Sequence, residues 1–231
     1  MIQITWLGHA TFELRFDSGE VLITDPWIEG NPAYPNDYKI KAVDAISVSH
    51  GHFDHINDVV PLAKKFRPKV VGIFEVTSWL ESKGVKNTVG MNKGGTVDLG
   101  FVKLTMTHAL HSAAIKDGNE FVYGGEAAGY VFTLKDGRRA YFAGDTMVFG
   151  DMSLMAELYH PDIAFLPIGD HFTMGPDQAA LATRLLKVKK VIPMHYGTFP
   201  LLTGTPEALS SLLHNDPVQV WTLPKGEGVE W

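Results

Sequence analysis

The chain has no cysteine. That excludes disulfides and thiolate metal sites, and it fits a reducing compartment, so a cytoplasmic location is expected. No apolar run approaches the ~18 residues of a membrane-spanning helix, so no membrane association is expected. The N-terminus, Met1-Ile2-Gln3-Ile4-Thr5-Trp6, lacks the basic and apolar regions of a signal peptide and reads as an opening strand. No low-complexity tract, short-period repeat or Pro/Gly/Ser linker divides the sequence, and one domain over residues 1–231 is expected. Basic residues are also scarce. Lys and Arg total 20 against 26 Asp and Glu, for a net charge of −6, with no basic cluster beyond Lys187, Lys189 and Lys190. A nucleic-acid footprint needs a basic face, so nucleic acid is not an expected partner. A small anionic substrate stays allowed, because bound cations would supply local positive charge.

What is present is a chain rich enough in apolar residues, at 45 %, to bury a substantial core. Period-two runs predict strands over Ile2–Leu7, Thr11–Phe16 and Val21–Thr24, with Asp17–Glu20 as a hairpin turn. Pro-containing Asn31–Asn36 reads as a loop, and Ala45–Ser49 as a short buried strand. A helix is predicted over Val59–Phe66, capped by Asn57 or Asp58, with Pro61 in its first turn. Val70–Phe74 reads as a strand, and Val76–Lys83 as a helix stopped by Gly84. Further strands are predicted over Val102–Thr107, Gly129–Leu134 and Arg139–Ala143, the last two joined by an Asp-Gly turn. Helices Ser153–Leu158, Pro176–Lys187 and Pro206–His214 then alternate with strands Ile163–Pro167, Val191–Met194 and Gln219–Leu223. A meander followed by strand–helix alternation suggests an α/β fold with two sheets covered by helices, a four-layer αββα sandwich, while periodicity alone supports only mixed α and β in one domain.

One segment stands out chemically. His50-Gly51-His52-Phe53-Asp54-His55 places three imidazoles and a carboxylate in six residues, directly after an apolar run. If that run is a strand, His50, His52 and Asp54 project to one side, while His55 faces the other way or starts the next element. Imidazole and carboxylate are the ligands of a hydrolytic Zn, Mn or Fe site. The alternative is a solvated polar turn.

A two-metal site needs partners elsewhere. Asp145 follows Arg139–Ala143, and His195 follows Val191–Met194; both stand where a sheet holds side chains rigidly. His108 and His111 follow Val102–Thr107 and compete for one place, which spacing does not decide. Taken singly, each is equally a hydrogen-bonded core histidine or a turn aspartate.

The chain resembles the metallo-β-lactamase superfamily, and within it the small metal-dependent hydrolases related to the ascorbate-6-phosphate lactonase group. The resemblance spans the whole chain. It rests on Trp6-Leu7-Gly8-His9-Ala10, Thr24-Asp25-Pro26, the His50–His55 cluster and Ala143-Gly144-Asp145-Thr146. It continues through Leu166–Asp170, Phe172-Thr173-Met174-Gly175-Pro176 and Pro193-Met194-His195-Tyr196. The resemblance implies the αββα fold and two divalent cations, Zn first, with Mn, Fe or Ni as alternatives. His50, His52 and His111 would hold one, Asp54, His55 and His195 the other, with Asp145 bridging. The resemblance prefers His111 over His108, because the family's third histidine precedes a small residue such as Ser112. Asp25 would orient a ligating imidazole, or else serve as a turn residue before Pro26. His9 would lie near the site mouth. Asp170 reads either as a partner of the metal ligands or as a turn cap, and His171 as a substrate contact or proton donor. Gly124-Gly125-Glu126 reads as a turn.

Water shared by two cations loses a proton near neutral pH and becomes a nucleophile, with Asp54 or Asp145 orienting it and carrying its proton. The expected activity is hydrolysis of a small ester, lactone or phosphoester. A nucleic-acid phosphodiesterase, ribonuclease-like, would add a gripping arm and a basic face. A diiron redox protein would replace the second histidine of the cluster by Glu. A non-catalytic binding protein on the same fold predicts eroded ligands. Homo-oligomerisation is allowed by this reading.

Overall fold

Strands open the chain where apolar and polar residues alternate. The computed structural model describes Met1–Trp231. β1 (Ile2–Trp6), β2 (Phe12–Phe16) and β3 (Val21–Thr24) form an antiparallel meander. β4 (Ala45–Ser47) then pairs parallel to β3, followed by α1 (Phe53–Ile56) and α2 (Val59–Phe66). α2 buries Val59, Leu62 and Ala63, the one-face spacing of an amphipathic helix. Asp58 precedes it, but its carboxylate does not cap the helix. β5 (Lys69–Ile73), α3 (Phe74–Ser82) and β6 (Thr88–Met91) follow, β5 and β6 in parallel register. Phe74, predicted as the last residue of a strand, is instead the first of α3.

β7 (Thr96–Asp98) and β8 (Val102–His108) pair antiparallel. A separate two-stranded sheet, β9 (Ile115–Asp117) and β10 (Glu120–Val122), comes next. β11 (Ala128–Leu134) turns back into β12 (Arg139–Phe142). α4 (Met152–Tyr159), β13 (Ile163–Pro167), α5 (Pro176–Leu186), β14 (Lys190–Met194), α6 (Pro206–Leu212), β15 (Gln219–Val220) and β16 (Gly228–Glu230) complete the chain. No helix is long and apolar enough to cross a membrane.

Contacts divide the molecule into two compact units interleaved in sequence. The first comprises Met1–Gly95, Ser112–Ala127 and Leu223–Trp231; the second comprises Thr96–His111 and Ala128–Thr222. The first unit holds a seven-stranded sheet ordered β16-β1-β2-β3-β4-β5-β6. Its core includes the fully buried Leu7, Phe12, Leu22, Ile23 and Ile46. The second holds a seven-stranded sheet ordered β15-β14-β13-β12-β11-β8-β7. There an aromatic row, Tyr130, Phe132, Phe142 and Phe165, runs across three strands with successive centroids 6.1–6.2 Å apart. Burying each such ring contributes roughly 1.5–3 kcal/mol.

The strands β6, β7, β9, β10 and β16 and the one-turn helix α1 have no counterpart in the sequence prediction. All are short, and several are mostly polar, so pairing rather than periodicity creates them.

Candidate metal centre

In the first unit, the chemistry gathers at the carboxyl ends of parallel strands, where a sheet leaves loops free to present side chains. Asp25 follows β3 and the histidine turn follows β4. Strand geometry ends at Ser47, however, so period two does not govern His50, His52 and Asp54. Asp54 and His55 lie on α1 instead, and the one-turn helix aims both inward: Asp54 is 8 % exposed and His55 is fully buried.

Asp25 is the organising group. Its Oδ2 lies 2.8 Å from His55 Nδ1. Ser49 donates its backbone N–H to Oδ1 at 2.7 Å and its hydroxyl to Oδ2 at 2.5 Å. The same hydroxyl lies 2.9 Å from His50 Nδ1. One carboxylate thus orients His55 directly and His50 through Ser49, in both rings through Nδ1. Burial pushes the Asp25 carboxyl above its ordinary range, against the opposing pull of His55 and Ser49. Ser49 is a positioning residue that sequence reasoning did not single out. Its place between Asp25 and the cluster is visible only in the fold.

His50 Nε2 and His52 Nδ1 stand 2.9 Å apart. Ser112 Oγ lies 3.3 Å from His52 Nε2. Gly51 sits where the hairpin base crosses: a Cβ there would lie 2.4 Å from Ile115 Cγ1 and 2.8 Å from the Ala113 carbonyl oxygen. The turn accepts that crossing because Gly51 has no side chain. Asp58 ties down the neighbouring loop, accepting the Ile28 and Glu29 backbone N–H groups at 2.6 and 3.1 Å. That duty explains why it does not cap α2. His9, expected at a site mouth, is fully buried, with Nε2 3.0 Å from Asp54 Oδ2.

In the second unit, β8, β12 and β14 run the same way, because β11 is antiparallel to both β8 and β12, while β12, β13 and β14 are parallel. His111, Asp145 and His195 follow the carboxyl ends of these three strands. Asp145 Oδ2 lies 3.1 Å from His195 Nε2 and 3.7 Å from His111 Nε2. The loops are stitched together: Leu110 N–H donates to Thr146 Oγ1 at 3.0 Å, and Met147 N–H to the Leu110 carbonyl at 3.2 Å. Asp145 and His195 are 2 % and 1 % exposed. His108 ends β8, and its ring packs edge-on to Phe149 at 5.3 Å. Asp170 is exposed and accepts the His171 backbone N–H at 2.8 Å, the turn-cap alternative. His171 is also exposed, its ring 4.5 Å from that of Phe172. Both carry positive φ, as do His9, Asp25 and His195. Non-glycine residues in this region are uncommon and gather at functional sites.

The donor set fits a divalent cation. Each unit offers buried imidazole nitrogens beside a buried carboxylate, and Asp25 presets a ring as metal sites do.

The β-lactamase superfamily domain model matches residues 21–196. A UPF0173 metal-dependent hydrolase of Solibacter usitatus is 60% identical over 230 residues, covering 100% of both chains. This chain belongs to the UPF0173 family of metal-dependent hydrolases. Its homologue in Koribacter versatilis is 54% identical over 213 residues, 92% of this chain and 91% of that one. Among solved structures, Igni18, a metallo hydrolase from the archaeon Ignicoccus hospitalis, superposes with a TM-score of 0.86 at 32% identity. The match covers 100% of this chain and 99% of that one. The family has the metallo-β-lactamase fold, in agreement with the two large sheets and their helices.

Proposed function

We propose that this enzyme hydrolyses a small ester, lactone or phosphoester with two divalent cations, zinc first and manganese, iron or nickel as alternatives. His50, His52 and His111 hold one, Asp54, His55 and His195 the other, and Asp145 serves both. The reading treats residues 1–231 as one working domain, with a small molecule and not nucleic acid as substrate, in the cytoplasm.

The observation that carries it is the Asp25–Ser49 arrangement, which engages Nδ1 of His55 and of His50, so that each ring would bind a cation through Nε2. When bound, the cations supply Lewis acidity and lower the pKa of water. The chain's residues do the rest. Asp54 or Asp145 accepts a hydrogen bond from the attacking water, fixes its direction, and carries its proton to the leaving oxygen. Burial of Asp145 and His195 excludes bulk water and strengthens every charge interaction there. Negative charge gathering on the substrate oxygen is favoured over the ground state.

The test is metal content of the purified protein, with hydrolysis of bis-p-nitrophenyl phosphate and a simple lactone under added Zn, Mn and Ni. About two cations per chain and metal-restored turnover support the reading and name the bond class. No cation and no turnover after reconstitution overturn it.

A further inference from the structure

His9 has a place in the site that the ligand set above does not use. It is fully buried, and its Nε2 stands 3.0 Å from Asp54 Oδ2. The same carboxylate oxygen is 3.9 Å from His55 Nε2, the ring nitrogen that does not contact Asp25. His9, Asp54 and His55 each offer a ligand atom within 4.8 Å of the others.

The geometry distinguishes this from the way Asp25 supports His55. A supporting group stands behind its ligand, as Asp25 does at Nδ1, on the side away from the donor atoms. His9 Nε2 instead lies beside the carboxylate oxygen that is 3.9 Å from His55 Nε2. Two donors that share one cation at ~2.1 Å each stand ~3.0–3.4 Å apart, and the His9–Asp54 separation falls there.

The fold also commits unusual backbone to this ring. Gly8 has φ +92° and His9 has φ +57°. A Cβ at Gly8 would lie 2.7 Å from the Ala33 carbonyl oxygen. The turn is pinned by the Trp6 indole N–H donating to the His9 carbonyl at 3.0 Å and by Thr11 N–H donating to the Gly8 carbonyl at 3.0 Å. Trp27 packs edge-on against the ring at 5.0 Å and fixes its plane. A left-handed non-glycine residue persists where its surroundings over-determine it.

We propose that His9 is a further ligand of the cation held by Asp54 and His55; this rests on the two-cation reading. The fourth imidazole near the histidine turn comes from the loop after β1, which no H-x-H-x-D-H spacing reveals.

The test uses the full chain loaded with Co(II), comparing wild type, His9→Ala and His9→Gln. Glutamine keeps an amide N–H to donate to Asp54 but is a poor replacement for an imidazole ligand. Co(II) affinity is read by competition with a chelator, and coordination by the visible ligand-field spectrum. If His9 is a ligand, both variants weaken one of the two cations by more than ~10–100-fold, the cost of losing a mere supporting contact, and both spectra change. If His9→Gln keeps wild-type affinity and spectrum, His9 only hydrogen-bonds Asp54 and the proposal is overturned. Should either variant fail to fold, the wild-type Co(II) protein decides. Its paramagnetically shifted imidazole N–H signals should number one more than the ligands named under the proposed function supply. Equality overturns the proposal while leaving the two-cation reading intact. Failure of the wild type to bind Co(II) or Zn defeats that reading and the proposal with it.

Discussion

Asp25 Oδ2 and His55 Nδ1 face one another at 2.8 Å with neither side chain exposed to solvent. A buried pair of this kind fixes the plane of the imidazole and engages its Nδ1 atom. Ser49 extends the control to His50.

Asp25→Asn should therefore weaken cation binding without removing any ligand. The amide presents a donor where His55 Nδ1–H needs an acceptor. Loss of ~10–100-fold in metal affinity is expected, measured by chelator competition. Unchanged affinity would mean that packing alone orients His55.

Asp145→Ala should lose metal and turnover together, because its carboxylate stands between His195 and His111. His111→Ala should lose one cation, whereas His108→Ala should keep both. If His108→Ala strips a metal and His111→Ala does not, the third histidine has been assigned to the wrong residue.

Gly51→Ala should lower the melting temperature, since its Cβ meets Ile115 Cγ1 and the Ala113 carbonyl oxygen. Overpacking of this kind costs ~1–3 kcal/mol. Adding Ile115→Ala should recover only part of it, because the carbonyl contact persists. Full recovery would show that the side chain was the sole obstacle.

Arg184 donates to both carboxylate oxygens of Asp216 and to the Leu212 carbonyl, tying α5 to the end of α6. The guanidinium holds the Asp216 carboxyl below its ordinary range. A depressed folded-state pKa contributes stability above the unfolded value of ~3.9, lost as pH falls through the folded value. Asp216→Asn should flatten the acid limb of a melting-temperature profile below pH ~4, most visibly at low salt. Parallel profiles would mean that this exposed pair contributes nothing.

The His50–His55 segment was legible because few chemistries need three imidazoles and a carboxylate in six residues. Asp145 and His195 were legible as residues ending apolar strands. Ser49 and the burial of His9 were not. Nothing in Ser49 marks it as a bridge, and a histidine in a loop after the first strand looks like a surface residue until Trp27 and Asp54 close on it. Likewise, Asp58 carries a helix-cap signal, yet the Ile28–Glu29 loop captures its carboxylate.

Sequence alone determined the family and the long apolar strands, and marked the candidate ligands, because these depend on residue type and short-range period. Tertiary structure decided which nitrogen of each ring is spent, which polar side chain is buried, and which short polar strands exist. Those depend on contacts such as Asp25–His55 and His9–Asp54, between residues 30 and 45 positions apart. Only folding brings such groups within hydrogen-bond reach, and no local pattern encodes them.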